Sequence, residues 1–438
     1  MLDKPNISAD LSIKVREVLR LIRTGKPVVT VSGPAGTGKS TLIREVINAF
    51  EGRICVAALT GQATRMLQKK GIAATTIHRL IYHTKVGDAE EIARLRAEIE
   101  TLNSEGRIGS AAAKQLETKL RRLTNPRFVR NEESEVARAS LCIIDEASMV
   151  PKGMGQDLRC FGVPLLAVGD PYQLGPVNGE PHFQLGRPDV LLEKIYRQDE
   201  GSQILELSQL VRDRKARKYR EHKGSGLFIR NHRSMNNDDV RTWMKRADQI
   251  ICATNNTRRS VNRRMLQYLG MPVDQVRYPQ GREGEKLVCL KNNHTLNIFN
   301  GMPIRITDVE ETSNPIYFSA TVLADEGVRD DGEIQWTSRG RANIYKGQFD
   351  FTADQVSQRE AEKRAQTDIL SKPDIVDCDW GYCITVHKAQ GSEWDKVLFL
   401  SESWPDADEV PDTWAQLHYT AITRARKRLA IIDNWGKR

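Results

Sequence analysis

The stretch Gly33-Pro34-Ala35-Gly36-Thr37-Gly38-Lys39-Ser40 leaves this chain few folds to choose from. The apolar run 28–31 precedes it, and Thr41-Leu42-Ile43-Arg44-Glu45-Val46 can open a helix after it. A strand, a glycine-rich turn and a helix in that order belong to an α/β architecture with helices packed on a parallel sheet. Glycines let the backbone close around a phosphate, while amide N–H groups and the helix N-terminus favour its negative charge. All eight loop residues and Thr41 are therefore candidate phosphate contacts. Lys39 would reach the β and γ oxygens of a triphosphate, and Ser40 would ligate Mg²⁺. The alternative is a glycine-rich turn that happens to contain a lysine.

Other apolar runs repeat the strand-then-helix rhythm at 54–59, 141–144, 165–168, 250–253, 397–400 and 429–432. Buried parallel strands read this way, and a cluster before residue 170 with another after 249 predicts two α/β domains. Two stretches break the rhythm. Ile92, Leu95, Ile99 and Leu102 share a helical period, a turn is expected near Ser104-Glu105-Gly106, and Leu116, Leu120 and Leu123 resume the period. Residues 88–123 thus predict a helical hairpin. Residues 295–375 carry short β-like runs such as Ile304-Arg305-Ile306 and predict a small β insertion. The expected domains are 1–190, with an insertion at about 84–136, then 191–294 plus 376–438, with the β insertion at 295–375.

A length of 438 residues suits two or three domains. Without a run of about 18 apolar residues the chain should not span a membrane, and Met1-Leu2-Asp3-Lys4-Pro5 lacks the layout of a secretory signal. A net charge of +9 favours a polyanionic partner, although many ordinary enzymes are as basic. The seven cysteines form no Cys-x-x-Cys pair, so they read as reduced, mostly buried thiols of a cytoplasmic protein rather than a zinc site.

The run Leu141-Cys142-Ile143-Ile144 ends in Asp145-Glu146, so a buried strand delivers adjacent carboxylates to its C-terminal end. Asp145 would hold Mg²⁺ and Glu146 would polarise an attacking water. A helix-capping acidic pair is the alternative. Next comes Gly169-Asp170-Pro171-Tyr172-Gln173-Leu174, where Gln173 is placed to sense a γ-phosphate; a plain surface turn is equally compatible with this motif.

Taken together, the ordered pieces resemble a superfamily 1 helicase of the 5′-to-3′ branch that contains RecD and the phage Dda helicase. They are GPAGTGKST (33–41), ALTGQAT (58–64), TIH (76–78), IIDEAS (143–148), GDPYQL (169–174), YRQ (196–198), ATNNTRRSVN (253–262), NNHTLNIFNG (292–301), GYCITVHKAQGSEWD (381–395) and YTAITRARKRL (419–429). The resemblance implies two RecA-like P-loop NTPase domains with ATP between them, single-stranded DNA across their top, and an SH3-like β insertion at 295–375. Arg197 and Arg424 fall where this family presents arginines to the γ-phosphate; Arg426 and Arg428 are left to the surface. Glu393 would reach nucleotide or couple the two sites. For DNA the resemblance points to Thr60, Gly61, His78, Thr385 and His387, with Asn292, Asn293, Asn300 and Gly301 at the entrance of the β insertion. The strand-splitting wedge falls on Arg127-Phe128-Val129-Arg130-Asn131-Glu132, with Phe128 stacking on the last base pair; a buried anchoring Phe reads the same in sequence. No glutamine precedes Gln62, although the family reads adenine with one upstream of the loop.

These features together predict an ATP- and Mg²⁺-dependent DNA helicase that moves 5′-to-3′ on single strands and unwinds forked duplex. It is expected to be a monomer in a bacterial cell or phage-infected host, with single-strand binding, replication or recombination proteins as partners. An RNA-directed helicase of the same superfamily is one alternative, and a nucleotide-binding clamp or complex subunit is another.

Overall fold

The structure, a computed structural model, describes residues 8–85, 88–105, 110–124, 127–177, 179–196, 202–216, 221–224, 226–271, 278–282, 285–293, 295–313, 317–328, 334–346, 349, 375–402 and 412–436. Three six-stranded sheets organise them. The first runs Thr75–Thr76, Ile54–Ala58, Leu141–Asp145, Leu165–Gly169, Val28–Ser32, Val190–Leu191, and every pair in it is parallel. Along its strands the side chains alternate between two cores. Val29, Val31, Leu141, Ile143, Leu166 and Val168 face the helices Ala9–Arg23 and Lys39–Ala49. Cys142, Ile144, Leu165 and Ala167 face Ile77, Leu80 and Leu158 on the other side. Covering both faces is what makes these strands read as unbroken apolar runs.

The second sheet runs Cys383–Thr385, Gln249–Cys252, Trp394–Leu400, Ala425–Asp433, Leu227–Asn231, His222–Lys223 and is parallel except at its last pair. All the apolar runs read as strands in the sequence fall in these two sheets, and the fold is that of two RecA-like α/β domains. Threonine caps the helix at several strand exits. Thr60 accepts from the Ala63 amide, Thr76 from Arg79 and Thr254 from Thr257, each satisfying an otherwise orphaned N–H.

The third sheet is antiparallel apart from one edge pair and runs Ile375–Val376, Ile334–Tyr345, Tyr317–Val328, Pro303–Glu311, Leu287–Cys289, Cys378–Trp380. Two of its strands lie outside the 295–375 window. The chain enters through Leu287–Cys289 and leaves through Cys378–Trp380, and those two strands pair with each other, closing the module at its root. Most of 347–374 lies outside the described residues.

Tyr82–Lys85 and Arg127–Arg130 form a two-stranded antiparallel ribbon, and the helices Ala89–Ser104 and Ala111–Thr124 sit between its strands in sequence. Leu95 and Ala113 are buried within this helical pair, and Lys119 reaches Glu91 at 2.9 Å. The helix ends at Ser104, where the expected turn begins; Gly106 lies outside the described residues.

Candidate active site

The loop 33–40 leaves the strand Val28–Ser32 and enters the helix Lys39–Ala49. Gly38 sits at φ +85°, a left-handed conformation that a side chain would strain, and it turns the chain into the helix. The Lys39 ammonium donates to the carbonyls of Gly33 at 2.7 Å and Pro34 at 2.9 Å, so it lies folded over the loop. The Ser40 hydroxyl accepts from the Lys70 ammonium at 3.0 Å.

Asp145 and Glu146 end the neighbouring strand Leu141–Asp145, and Glu146 adopts φ 52°. Burial raises the Asp145 pKa against the pull of a backbone N–H, Lys39 and Lys70. Burial raises that of Glu146 to about 7, helped by Asp145 and opposed by Arg424 and Lys39. Two hard oxygen donors, Ser40 Oγ and the Asp145 carboxyl, thus face a space that already attracts the Lys70 cation. That donor set fits Mg²⁺.

Gln173 follows Asp170 at the end of the strand Leu165–Gly169 and donates to Asp170 Oδ2 at 3.3 Å. Among the described residues, the buried atoms Glu146 Oε2, Ser148 Oγ, Gln173 Oε1 and Gln390 Oε1 have no hydrogen-bond partner. Unpartnered buried oxygens are costly, and two of these residues, Glu146 and Gln173, line one cleft. The cleft, about 460 Å³, is lined by Ala35, Gly36, Gly38, Lys39, Ser40, Thr41, Asp145, Glu146 and Gln173 from the first domain. Gly391, Glu393, Arg424 and Arg426 line it from the second, and Tyr196 closes one side.

Arg424 is buried and held on its own domain, donating to the carbonyls of Thr420 at 2.9 Å and Ser392 at 3.2 Å. Arg426 is exposed and paired with Asp395 at 2.5 Å; it stands at the cleft mouth rather than on a remote face. Arg428 is exposed. Arg197 lies outside the described residues.

The residues expected at DNA come from several elements. His78 and Phe128 meet edge to face at 5.3 Å, with Tyr82 beside them, at the base of the ribbon. Phe128 is 58% exposed, which removes the buried-anchor reading. Burial lowers the pKa of His78 and of His387. Thr60 caps its helix, and Gly61 lies so close to Phe299 that an added Cβ would fall 2.5 Å from the Phe299 Cβ. Asn292 accepts from the Asn300 amide at 2.8 Å, and Asn300 accepts from Lys388 at 2.9 Å. Asn293 is buried, donates to the Ile375 carbonyl and accepts from the Leu296 amide, so it ties the module together. Gly301 follows at φ 84°. Thr385 is buried at the start of the short helix Val386–Ala389, and His387 lines a second cavity between the domains with Leu174 and Leu417.

The sequence assigned no role to Lys70, Asp170, Tyr196, Tyr419 or Thr420. Leu174 donates to Thr420 Oγ1 at 3.0 Å and accepts from Gln390 Nε2 at 2.9 Å, so both its backbone groups are held by the other domain. All but Lys70 lie inside or beside the quoted motifs, and that position was the available signal. Lys70 lay in no motif at all.

The fold and cleft define a P-loop nucleotide-binding protein of two RecA-like domains. Residues 15–230 match the AAA domain model, and residues 381–432 match the UvrD-like helicase C-terminal domain. The ATP-dependent RecD2 DNA helicase of Deinococcus radiodurans is 26% identical over 92% of this chain and 46% of its own length. The ATP-dependent DNA helicase dda of Enterobacteria phage T4 is 27% identical over 37% of this chain and 31% of its own. The chain spans less than half the length of the curated relatives it matches most fully. A Pif1 helicase structure from work on unwinding at forked duplex DNA covers 96% of this chain and 91% of its own, at 18% identity and a TM-score of 0.50. The Pif1 helicase of Candida albicans covers 98% and 94%, at 17% identity and the same TM-score. The chain thus carries matches to an AAA domain and to a UvrD-like helicase C-terminal domain, and is similar to the RecD2 and Dda helicases.

Proposed function

We propose that the chain is an ATP-dependent DNA helicase that translocates 5′-to-3′ on single-stranded DNA and opens forked duplex. The observation that carries this is the cleft itself: Lys39, Asp145, Glu146 and Gln173 from one domain face Arg424 from the other. Lys39 exchanges its loop carbonyls for β and γ oxygens, and Ser40 and Asp145 hold Mg²⁺. The ion, when bound, neutralises charge on the β and γ phosphates and orients them for in-line attack. Glu146 polarises the attacking water, and Gln173 reads the γ-phosphate. Arg424, with Arg197 beside it on the resemblance, neutralises charge in the transition state, an effect worth about 10³–10⁵ in rate in related systems. Because that arginine comes from the second domain, hydrolysis requires cleft closure, and closure alternates the grip on a strand.

Thr60, Gly61, Asn292, Asn293, Asn300, Thr385 and His387 are proposed along the DNA path, with Phe128 at the fork. Backbone-led gripping predicts a salt slope of about −0.7 per phosphate neutralised on single strands. The working form is proposed as a cytoplasmic monomer whose partners are single-strand binding, replication or recombination proteins. Among the described residues no helix is long and apolar enough to cross a membrane.

The deciding experiment compares partial duplexes with 5′ and 3′ overhangs. Unwinding is expected only with the 5′ overhang, and preference for the 3′ overhang rejects the assigned polarity. Lys39→Ala should abolish turnover while leaving single-strand binding. Hydrolysis stimulated more by poly-U than by poly-dT would move the track to RNA.

A further inference from the structure

Tyr419 lies in the helix Asp412–Ile422 of the second domain, yet its hydroxyl sits wholly among first-domain groups. It accepts from the Ala35 amide of the phosphate loop at 3.1 Å and donates to Asp170 Oδ2 at 2.9 Å. The amide can only donate, so the polarity of this relay is fixed. The ring is 2% exposed and meets Tyr172 edge-on at 6.0 Å. Burial and the neighbouring Asp170 hold the phenol well above its ordinary pKa, so it stays a neutral hydroxyl.

The next residue continues the connection. Thr420 Oγ1 accepts from the Leu174 amide at 3.0 Å, and the Thr420 carbonyl accepts from Arg424 Nε at 2.9 Å. Two adjacent residues therefore touch the phosphate loop, both ends of the segment that contains Gln173, and the arginine facing the cleft. We propose that Tyr419 is a positioning residue that reports the state of the phosphate loop to Arg424. A phosphate that draws the Ala35 N–H toward itself takes away the donor to the Tyr419 hydroxyl. The last turn of the helix and the 423–424 turn that follows are then free to move, and Arg424 leaves its carbonyls for the cleft. With no phosphate present, the same relay keeps Arg424 turned onto its own domain.

This inference rests on the cleft being a triphosphate site, and the test separates the two. Tyr419→Phe removes a single oxygen and keeps the ring on Tyr172. Nucleotide and single-strand binding should stay within about threefold of wild type, while hydrolysis without DNA rises at least about threefold and the DNA-stimulation ratio falls, because Arg424 is no longer held off the cleft. Combined with Asp170→Asn, the change should be no greater than that of the more affected single variant, since both act through one link. A purely structural tyrosine would lower the melting temperature and leave DNA-free turnover per folded enzyme and the stimulation ratio alone. A variant with wild-type DNA-free hydrolysis and stimulation, or with effects that simply multiply in the double variant, overturns the relay. Wild type that hydrolyses no triphosphate with single-stranded DNA overturns the functional reading and the relay with it.

Discussion

Arg258 Nη1 donates to Asp379 Oδ2 at 2.6 Å, and both side chains are almost wholly buried where the third sheet joins the second domain. One helical turn on, Asn262 donates to the carbonyls of Trp380 and Cys383 and accepts from the Cys383 amide. The TRRSVN run thus fixes the strand that leads into Thr385. Breaking the pair with Arg258→Met strands a buried carboxylate and should cost about 3–5 kcal/mol in urea unfolding. Arg258→Met with Asp379→Leu should recover most of that loss, because no charge is left unpaired.

Glu146 gives a pH signature. With its pKa raised to about 7, mainly by burial, it is protonated on the acid side and unable to polarise water there. In the free enzyme kcat/KM for the triphosphate should rise through about pH 7. Glu146→Gln should abolish that limb and lower kcat by about 10²–10⁴ while nucleotide still binds. The folded state holds this proton longer than the unfolded chain, so from about 4.5 to about 7 its contribution to stability falls as pH rises.

Burial drives His418 the other way, to about 3, in the closed pocket it shares with Ser401 and Asp433. The unfolded chain takes up this proton first. Stability from the neutral ring is therefore full above about 6.5 and lost as pH falls toward 3. Urea midpoints measured from pH 7 to 4 should fall more steeply for wild type than for His418→Gln.

Arg424 and Arg426 both line the cleft, but only Arg424 lies deep. Arg424→Ala should lower kcat by about 10³ or more with little change in nucleotide affinity. Arg426→Ala, which loses a surface pair with Asp395, should stay within about fivefold of wild type. Equal losses in stopped-assay turnover would reverse the assignment.

Phe128 stands out from the ribbon beside His78. Phe128→Ala should slow duplex unwinding about tenfold and leave hydrolysis on single strands nearly unchanged, since base stacking is worth about 1–3 kcal/mol. A matching fall in both activities would place Phe128 in the motor rather than at the fork.

The parallel strands were legible because burial on both faces leaves apolar runs bounded by turn residues, as at 141–144 and 165–168. The helical hairpin was legible from its period. The phosphate loop, Asp145, Glu146 and Gln173 were legible because their order along the chain already encodes their place at strand ends. Tyr419 was not. Nothing local distinguishes a tyrosine that packs in its own domain from one whose hydroxyl crosses to the other, since Ala35 and Asp170 are hundreds of residues away in sequence. The width of the third sheet was hidden for a related reason. Leu287–Cys289 and Cys378–Trp380 are short, and they join the module only through pairing, the first with Pro303–Glu311 and the second with the first.

Lys85 and Arg127 are directly opposed in the ribbon, so the chain departs for the helical pair and returns at neighbouring positions. Cross-strand partners lie about 4.5–5.5 Å apart, a gap that a two-residue turn spans. The helical pair is therefore an exchangeable cartridge. It can be lengthened, replaced or cut back to a tight turn while Phe128, His78 and the cleft keep their places.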